Sequence, residues 1–153
     1  DRSPSRGLGD VYKRQKYNNP EVDITGLGKS FIIYNADALE IYRTVFICEG
    51  AINAETLGEN GIATGGKAIA RYQVNRLIKS QVERFIILID PDAKDKSLDL
   101  AFKLVPFKKV KVVFLPDNED VNSLGKRRTL EYVRKMTYQT YQELLTIKSE
   151  LKL

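Results

Sequence analysis

With 153 residues, 42% of them hydrophobic and 29% charged, the chain has the size and make-up of one globular domain, and no stretch approaches the roughly 18 apolar residues of a membrane span. It contains no histidine and one cysteine, Cys48, which excludes Ser-His-Asp and Cys-His catalysis, histidine-held metals, zinc clusters and an internal disulfide. A net charge of +5 and a pI near 9.2 favour an anionic partner such as nucleic acid.

Residues 1–15, DRSPSRGLGDVYKRQ, carry Pro, Ser, Gly and Arg without an apolar period. They read as a disordered tail, or as translated adaptor sequence joined to the reading frame, and are set outside the folded unit. No apolar run of a secretory signal follows them, so a cytoplasmic location is expected. KYNNPEVDITGLGK (16–29) is polar and loop-like, with Asn-Pro and glycines as turn signals. SFIIYN (30–35) is a short β run, and 36–42 suffices for one or two helical turns. VFIC (45–48) is a short apolar run with the character of a strand buried on both faces.

A helix is predicted over 51–60, stopped by Gly61, before a brief strand at Ile62 and Ala63 that Gly65-Gly66 closes. Helix 70–80 puts Ala70, Val74, Leu77 and Ile78 on one face. FIILI (85–89) is the clearest strand. It is followed by a helix over 97–105, with Leu98, Ala101, Phe102 and Val105 at helical spacing. VKVVFL (110–115) is the next strand, then come a helix over 126–135 and an amphipathic segment over 138–151. Apolar strands alternating with amphipathic helices predict an α/β fold: Rossmann-like βαβ units with a mainly parallel sheet flanked by helices. In such sheets, sites form beyond the carboxyl ends of the strands.

Those strand ends are acidic. Glu49-Gly50 follows the first, Asp90-Pro91-Asp92 follows FIILI, and Glu119-Asp120-Val121-Asn122 follows VKVVFL. Carboxylates gathered on one sheet edge repel one another unless a cation neutralises them. An oxygen-lined site of this kind suits Mg²⁺ or Mn²⁺. Any one of these residues alone reads more readily as a helix cap or turn residue. The ordered set of three carries the functional reading.

VFICEGAINAETLGENGI resembles the Glu-Gly motif of the Toprim (topoisomerase-primase) domain, and FIILIDPDAKDKSLDLA resembles its Asp-x-Asp motif. LPDNEDVNSL (115–124) is similar to a segment that primases add after a Leu-Pro. KYNNPEVDITGLGKSFIIYN is similar to the stretch leading into the Toprim domain of DnaG-type DNA primases of bacteria and phages. The resemblance covers about residues 16–133. It implies that 16–43 end an upstream primase core subdomain, that 44–136 form the Toprim domain, and that 137–153 add a C-terminal helix.

The implied activity is metal-dependent, template-directed synthesis of RNA primers, a nucleotidyl transfer. Its implied partners are single-stranded DNA template, ribonucleotides and, through regions outside this chain, the replicative helicase. Glu49 corresponds to the family's glutamate, a general base or metal ligand. Asp90 and Asp92 correspond to ligands of Mg²⁺ or Mn²⁺, with Asp120 supporting them. Lys16 and Lys29 match basic residues that contact nucleotide phosphates or template. Asn53 and Asn122 depart from the family pattern, which places aspartates there; each keeps a carbonyl oxygen but lacks the charge.

Two other readings share these residues: a Toprim nuclease or topoisomerase-related DNA-cleaving domain, and a non-catalytic nucleic-acid-binding Toprim module. Recombination-mediator relatives carry a zinc-binding Cys cluster, which one cysteine does not allow. Lys67, after Gly65-Gly66, offers an ammonium to a phosphate, although a Gly-Gly turn is commonly only a turn. Lys108, Lys109 and Lys111 read as solvated loop charge. Lys126-Arg127-Arg128 opens a helix against its dipole and is a candidate nucleic-acid contact. Tyr138 and Tyr141 read as core or docking surface.

Overall fold

Strands β1 (Thr44–Cys48), β2 (Gly61–Ala63), β3 (Arg84–Ile87) and β4 (Lys109–Val112) form one parallel sheet in the order β2-β1-β3-β4. This arrangement comes from a computed structural model that describes residues 32–65 and 69–153. The helices are α1 (Ala38–Ile41), α2 (Ala51–Leu57), α3 (Arg71–Lys79), α4 (Lys94–Leu104), α5 (Val121–Lys135) and α6 (Tyr141–Glu150). The expected α/β architecture is the observed one.

Side chains alternate across a strand, and here both faces are apolar because both are covered. Val45 and Ile47 of β1 join Val74, Leu77, Leu98, Leu104 and Leu144 in the core beneath α3, α4 and α6. Phe46 and Cys48 point the other way, into a second core with Ala54, Leu57, Val121, Leu124 and Val133 from α2 and α5. Leu144 is fully buried and Phe102 meets Tyr141 edge-on at 5.2 Å, so α6 belongs to the packed unit. Burying an aliphatic side chain of this size contributes about 1.5–3 kcal/mol.

Both sheet edges are blunted. Tyr34 makes an antiparallel bridge to Ala63 on β2, and Gln139 makes one to Val110 on β4. The Gln139 amide also accepts from the Val112 N–H at 2.7 Å and donates to its carbonyl at 3.2 Å. Edge groups occupied in this way do not recruit a foreign strand.

The structure departs from the sequence-based elements where glycines and caps intervene. Of the expected β run at 30–35, the described part contributes the single bridge at Tyr34 and the buried side chain of Ile33. Helix α2 ends at Leu57 rather than at 60 because Gly58 takes φ 106. Gly61 opens β2 instead of stopping a helix, and a Cβ there would run into the Ala54 carbonyl. Helix α4 begins at Lys94, after a 3₁₀ turn at Pro91–Ala93, three residues before the expected start at 97. Gly125 (φ 83, ψ 164) splits α5 into an entry turn from Val121 and the expected helix from Lys126.

Two of the lysines read as solvated loop charge are not. Lys108 Nζ donates to the Ser80 and Val82 carbonyls at 2.7 Å each. Lys111 is buried on β4, where its Nζ lies 3.1 Å from the Val133 carbonyl and 4.7 Å above the Tyr138 ring. Burial pulls the Lys111 ammonium below the usual lysine range.

Candidate functional site

The connection from β1 runs outward to β2, and the next strand, β3, is laid on the other side of β1. The switch point of the sheet therefore falls between β1 and β3, where open α/β sheets bind ligands. Glu49 follows β1 directly and Asp90 follows β3 after Leu88 and Ile89, so the topology brings these carboxylates to one crevice. The Glu49 backbone is fixed by the Gly65 N–H, which donates to its carbonyl at 2.8 Å. Asp90 precedes the 3₁₀ turn, its carbonyl accepting from the Ala93 N–H at 2.9 Å.

Electrostatics report the crowding. The Asp90 carboxyl is held above the usual range, first by burial, then by the charges of Glu49, Asp120 and Asp92, with Lys96 working in the opposite direction. The buried Cys48 thiol is also pushed up, chiefly by burial and then by Asp90 and Asp120, which makes it an inert core group rather than a nucleophile. Residues from three strand ends thus act on one carboxyl group.

Glu49 and Asp120 have side-chain partners of their own. Glu49 Oε2 accepts from Lys96 Nζ at 2.9 Å. Asp120 caps α5: its Oδ1 accepts from the Ser123 N–H at 2.8 Å while its own N–H donates to Ser123 Oγ at 2.9 Å. Asp92 is exposed in the 3₁₀ turn. Gly50 is extended (φ −109), and a Cβ on it would meet nothing within 4 Å, so the space beside Glu49 is open.

Asn53 and Asn122 are joined to each other. The Asn122 N–H donates to Asn53 Oδ1 at 3.0 Å, and Thr56 Oγ1 donates to Asn122 Oδ1 at 3.3 Å. The Asn53 oxygen thereby satisfies an otherwise unpaired N–H in the first turn of α5.

The donors suit Mg²⁺ or Mn²⁺ in kind: hard carboxylate oxygens whose mutual repulsion an added cation relieves. They are not gathered into a ligand shell, for among the described residues no three His, Cys, Asp or Glu side chains stand close enough to hold an ion. Lys96 engages Glu49, and the α5 cap engages Asp120. Lys16, Lys29 and Lys67 lie outside the described residues. Lys126, Arg127 and Arg128 are exposed, with Arg127 reaching Glu131 at 3.4 Å.

Sequence reasoning missed Lys96. Its signal was a pair of lysines, Lys94 and Lys96, in the first turn of α4, where the helix dipole disfavours cations.

A parallel α/β sheet with carboxylates at its switch point defines the class. Solved structures specify the fold within it. The chain is similar to a DnaG primase catalytic domain bound to single-stranded DNA, with a TM-score of 0.62 and 22% identity over 78% of this chain and 43% of that one. It is similar to the zinc-binding and RNA polymerase domains of the Aquifex aeolicus primase, with a TM-score of 0.66 and 18% identity over 84% of this chain and 35% of that one. A DnaG catalytic core matches with a TM-score of 0.69 and 18% identity over 88% of this chain and 47% of that one. The fold resembles part of the catalytic core of DnaG primases. The chain spans less than half the length of each of these primases. No protein-family model and no curated protein matches its sequence. No helix among the described residues is long and apolar enough to cross a membrane.

Proposed function

We propose that this chain is part of a DNA primase catalytic core, a nucleotidyltransferase that makes RNA primers on single-stranded DNA. The observation that carries this reading is the placement of Glu49 and Asp90 just beyond the adjoining strands β1 and β3, the switch point of a primase-like fold, with the charges of Glu49, Asp120 and Asp92 acting on Asp90. Asp90, Asp92 and Glu49 would hold Mg²⁺ or Mn²⁺, with Asp120 adding its charge from the α5 cap. A bound divalent ion supplies positive charge to the nucleotide phosphates during displacement of pyrophosphate. Glu49, beside open space, is suited to accept the proton of the attacking hydroxyl. Lys16, Lys29 and Lys67 are assigned to template or nucleotide phosphates, contacts whose strength falls with salt.

The test is binding of Mn²⁺, followed by an ATP analogue, to the purified chain. Nucleotide binding should require the metal and should vanish in the Asp90→Asn, Asp92→Asn double variant, with the melting temperature retained. Metal-independent nucleotide binding would refute the reading. Metal-dependent nicking of plasmid DNA by the chain would instead establish the nuclease alternative.

A further inference from the structure

Lys96 stands at the third position of α4, where the partial positive charge of the helix N-terminus opposes an ammonium. Its side chain is also 13% exposed, a costly setting for a charge unless it is compensated. Helix stability does not explain this placement, and the carboxylate edge does. Its Nζ lies 2.9 Å from Glu49 Oε2, and its charge works against the repulsions that Asp90 suffers from Glu49, Asp120 and Asp92. A cation therefore already sits among the carboxylates.

We propose that Lys96 is an internal counter-cation of the Toprim edge, a positioning residue that holds Glu49 in the metal-free protein and releases it when a divalent ion binds. The inference rests on the metal site proposed above and adds to it. Metal binding becomes an exchange, with the Lys96–Glu49 pair broken as Glu49 turns to the ion, so the pair weakens the apparent affinity of the site. Lysine suits such a release better than arginine would, because its ammonium is a single mobile point charge and not a planar fork that locks onto a carboxylate.

Mn²⁺ titration of the purified chain, read by the electron paramagnetic resonance signal of free Mn²⁺, tests the exchange. Lys96→Met removes the competitor and keeps the length of the stem, so Mn²⁺ should bind about three- to tenfold more tightly than to the wild type. Lys96→Arg holds Glu49 in a bidentate pair and should bind Mn²⁺ no more tightly than the wild type, or more weakly. The Arg variant also keeps the proposal testable if Lys96→Met does not fold. A merely structural lysine would lower the melting temperature of Lys96→Met without moving Mn²⁺ affinity, and that result overturns the exchange. Weaker binding by Lys96→Met, or tighter binding by Lys96→Arg, overturns it as well. No Mn²⁺ binding by the wild type or any variant would overturn the metal site itself, and the exchange with it.

Discussion

Asp90 and Lys111 are both held closer to neutrality than they would be in water, but for different reasons. Lys111 is shifted by burial alone, and the protein answers that burial internally, with the Val133 carbonyl and the Tyr138 ring beside the ammonium. Asp90 is shifted by burial and by three neighbouring carboxylates, with Lys96 as the opposing charge. One strained charge belongs to a finished piece of core. The other belongs to an edge where like charges remain crowded. The two charges are told apart by what surrounds each group.

The largest effect should separate the two regions completely. In a full primase core containing this chain, Glu49→Gln should lower primer synthesis by about 10²–10⁴-fold, as expected for loss of a general base or metal-positioning group. Stability should stay within about 1 kcal/mol, because the glutamine oxygen can still accept from Lys96. A primer-extension assay and a urea titration read the two halves. An unfolded variant would make Glu49 a structural residue, and a fully active one would remove it from the chemistry.

At the closed region the order reverses. Lys111→Ala should cost about 2–3 kcal/mol in urea unfolding, because it leaves a cavity under Tyr138. Lys111→Met should cost less than about 1 kcal/mol, since an apolar stem of similar length fills the same space without a desolvated charge. Equal losses in both variants would mean that the ammonium, and not the stem, holds α5 to β4.

The two regions should also differ in pH dependence. Asp90 has a raised pKa in the folded state, so its contribution is fully present below the ordinary value of 3.8 and is lost as pH rises through the folded value. Lys111 has a lowered pKa, so its contribution is present above the ordinary 10.5 and is lost as pH falls through the folded value. Melting curves across pH should show Asp90→Asn flattening the acid side of the profile and Lys111→Met the alkaline side. Any crossing of these effects would break the assignment of the two charges to two separate causes.

The same division explains what the sequence disclosed. Strands β1 and β3 were legible because a parallel strand covered on both faces must be an apolar run, as VFIC and FIILI are, and β4 because VKVV departs from that only at Lys111. The acidic strand ends were legible because connectivity alone places them. The starts of α4 and α5 were not: the first turn of α4 is charged, and Gly125 interrupts the apolar period of α5 even though Asp120 and Ser123 form a capping box. Lys111 was hidden because a lysine in a strand alternates like any other polar residue until its face proves to be covered. Lys96 and the Asn53–Asn122 bond depend on packing between elements distant in sequence, which local pattern does not encode.

The smallest change in stability is expected at Gly50, where the open edge meets β1. Glycine at a helix N-cap is favoured over alanine, which argues for a loss in Gly50→Ala. Its φ of −109 is accessible to alanine, however, and removing a glycine lowers the entropy of the unfolded chain, which argues for a gain. A Cβ would meet nothing within 4 Å, so packing does not decide between them, and the net change should lie within about 0.5 kcal/mol. Any functional effect must then come from the space beside Glu49. If nucleotide phosphate passes there, Gly50→Ala should weaken metal-dependent binding of an ATP analogue several-fold while leaving the urea midpoint nearly unchanged. A large loss of stability would show that the edge is packed after all. Unchanged nucleotide binding would move the phosphate path away from Glu49.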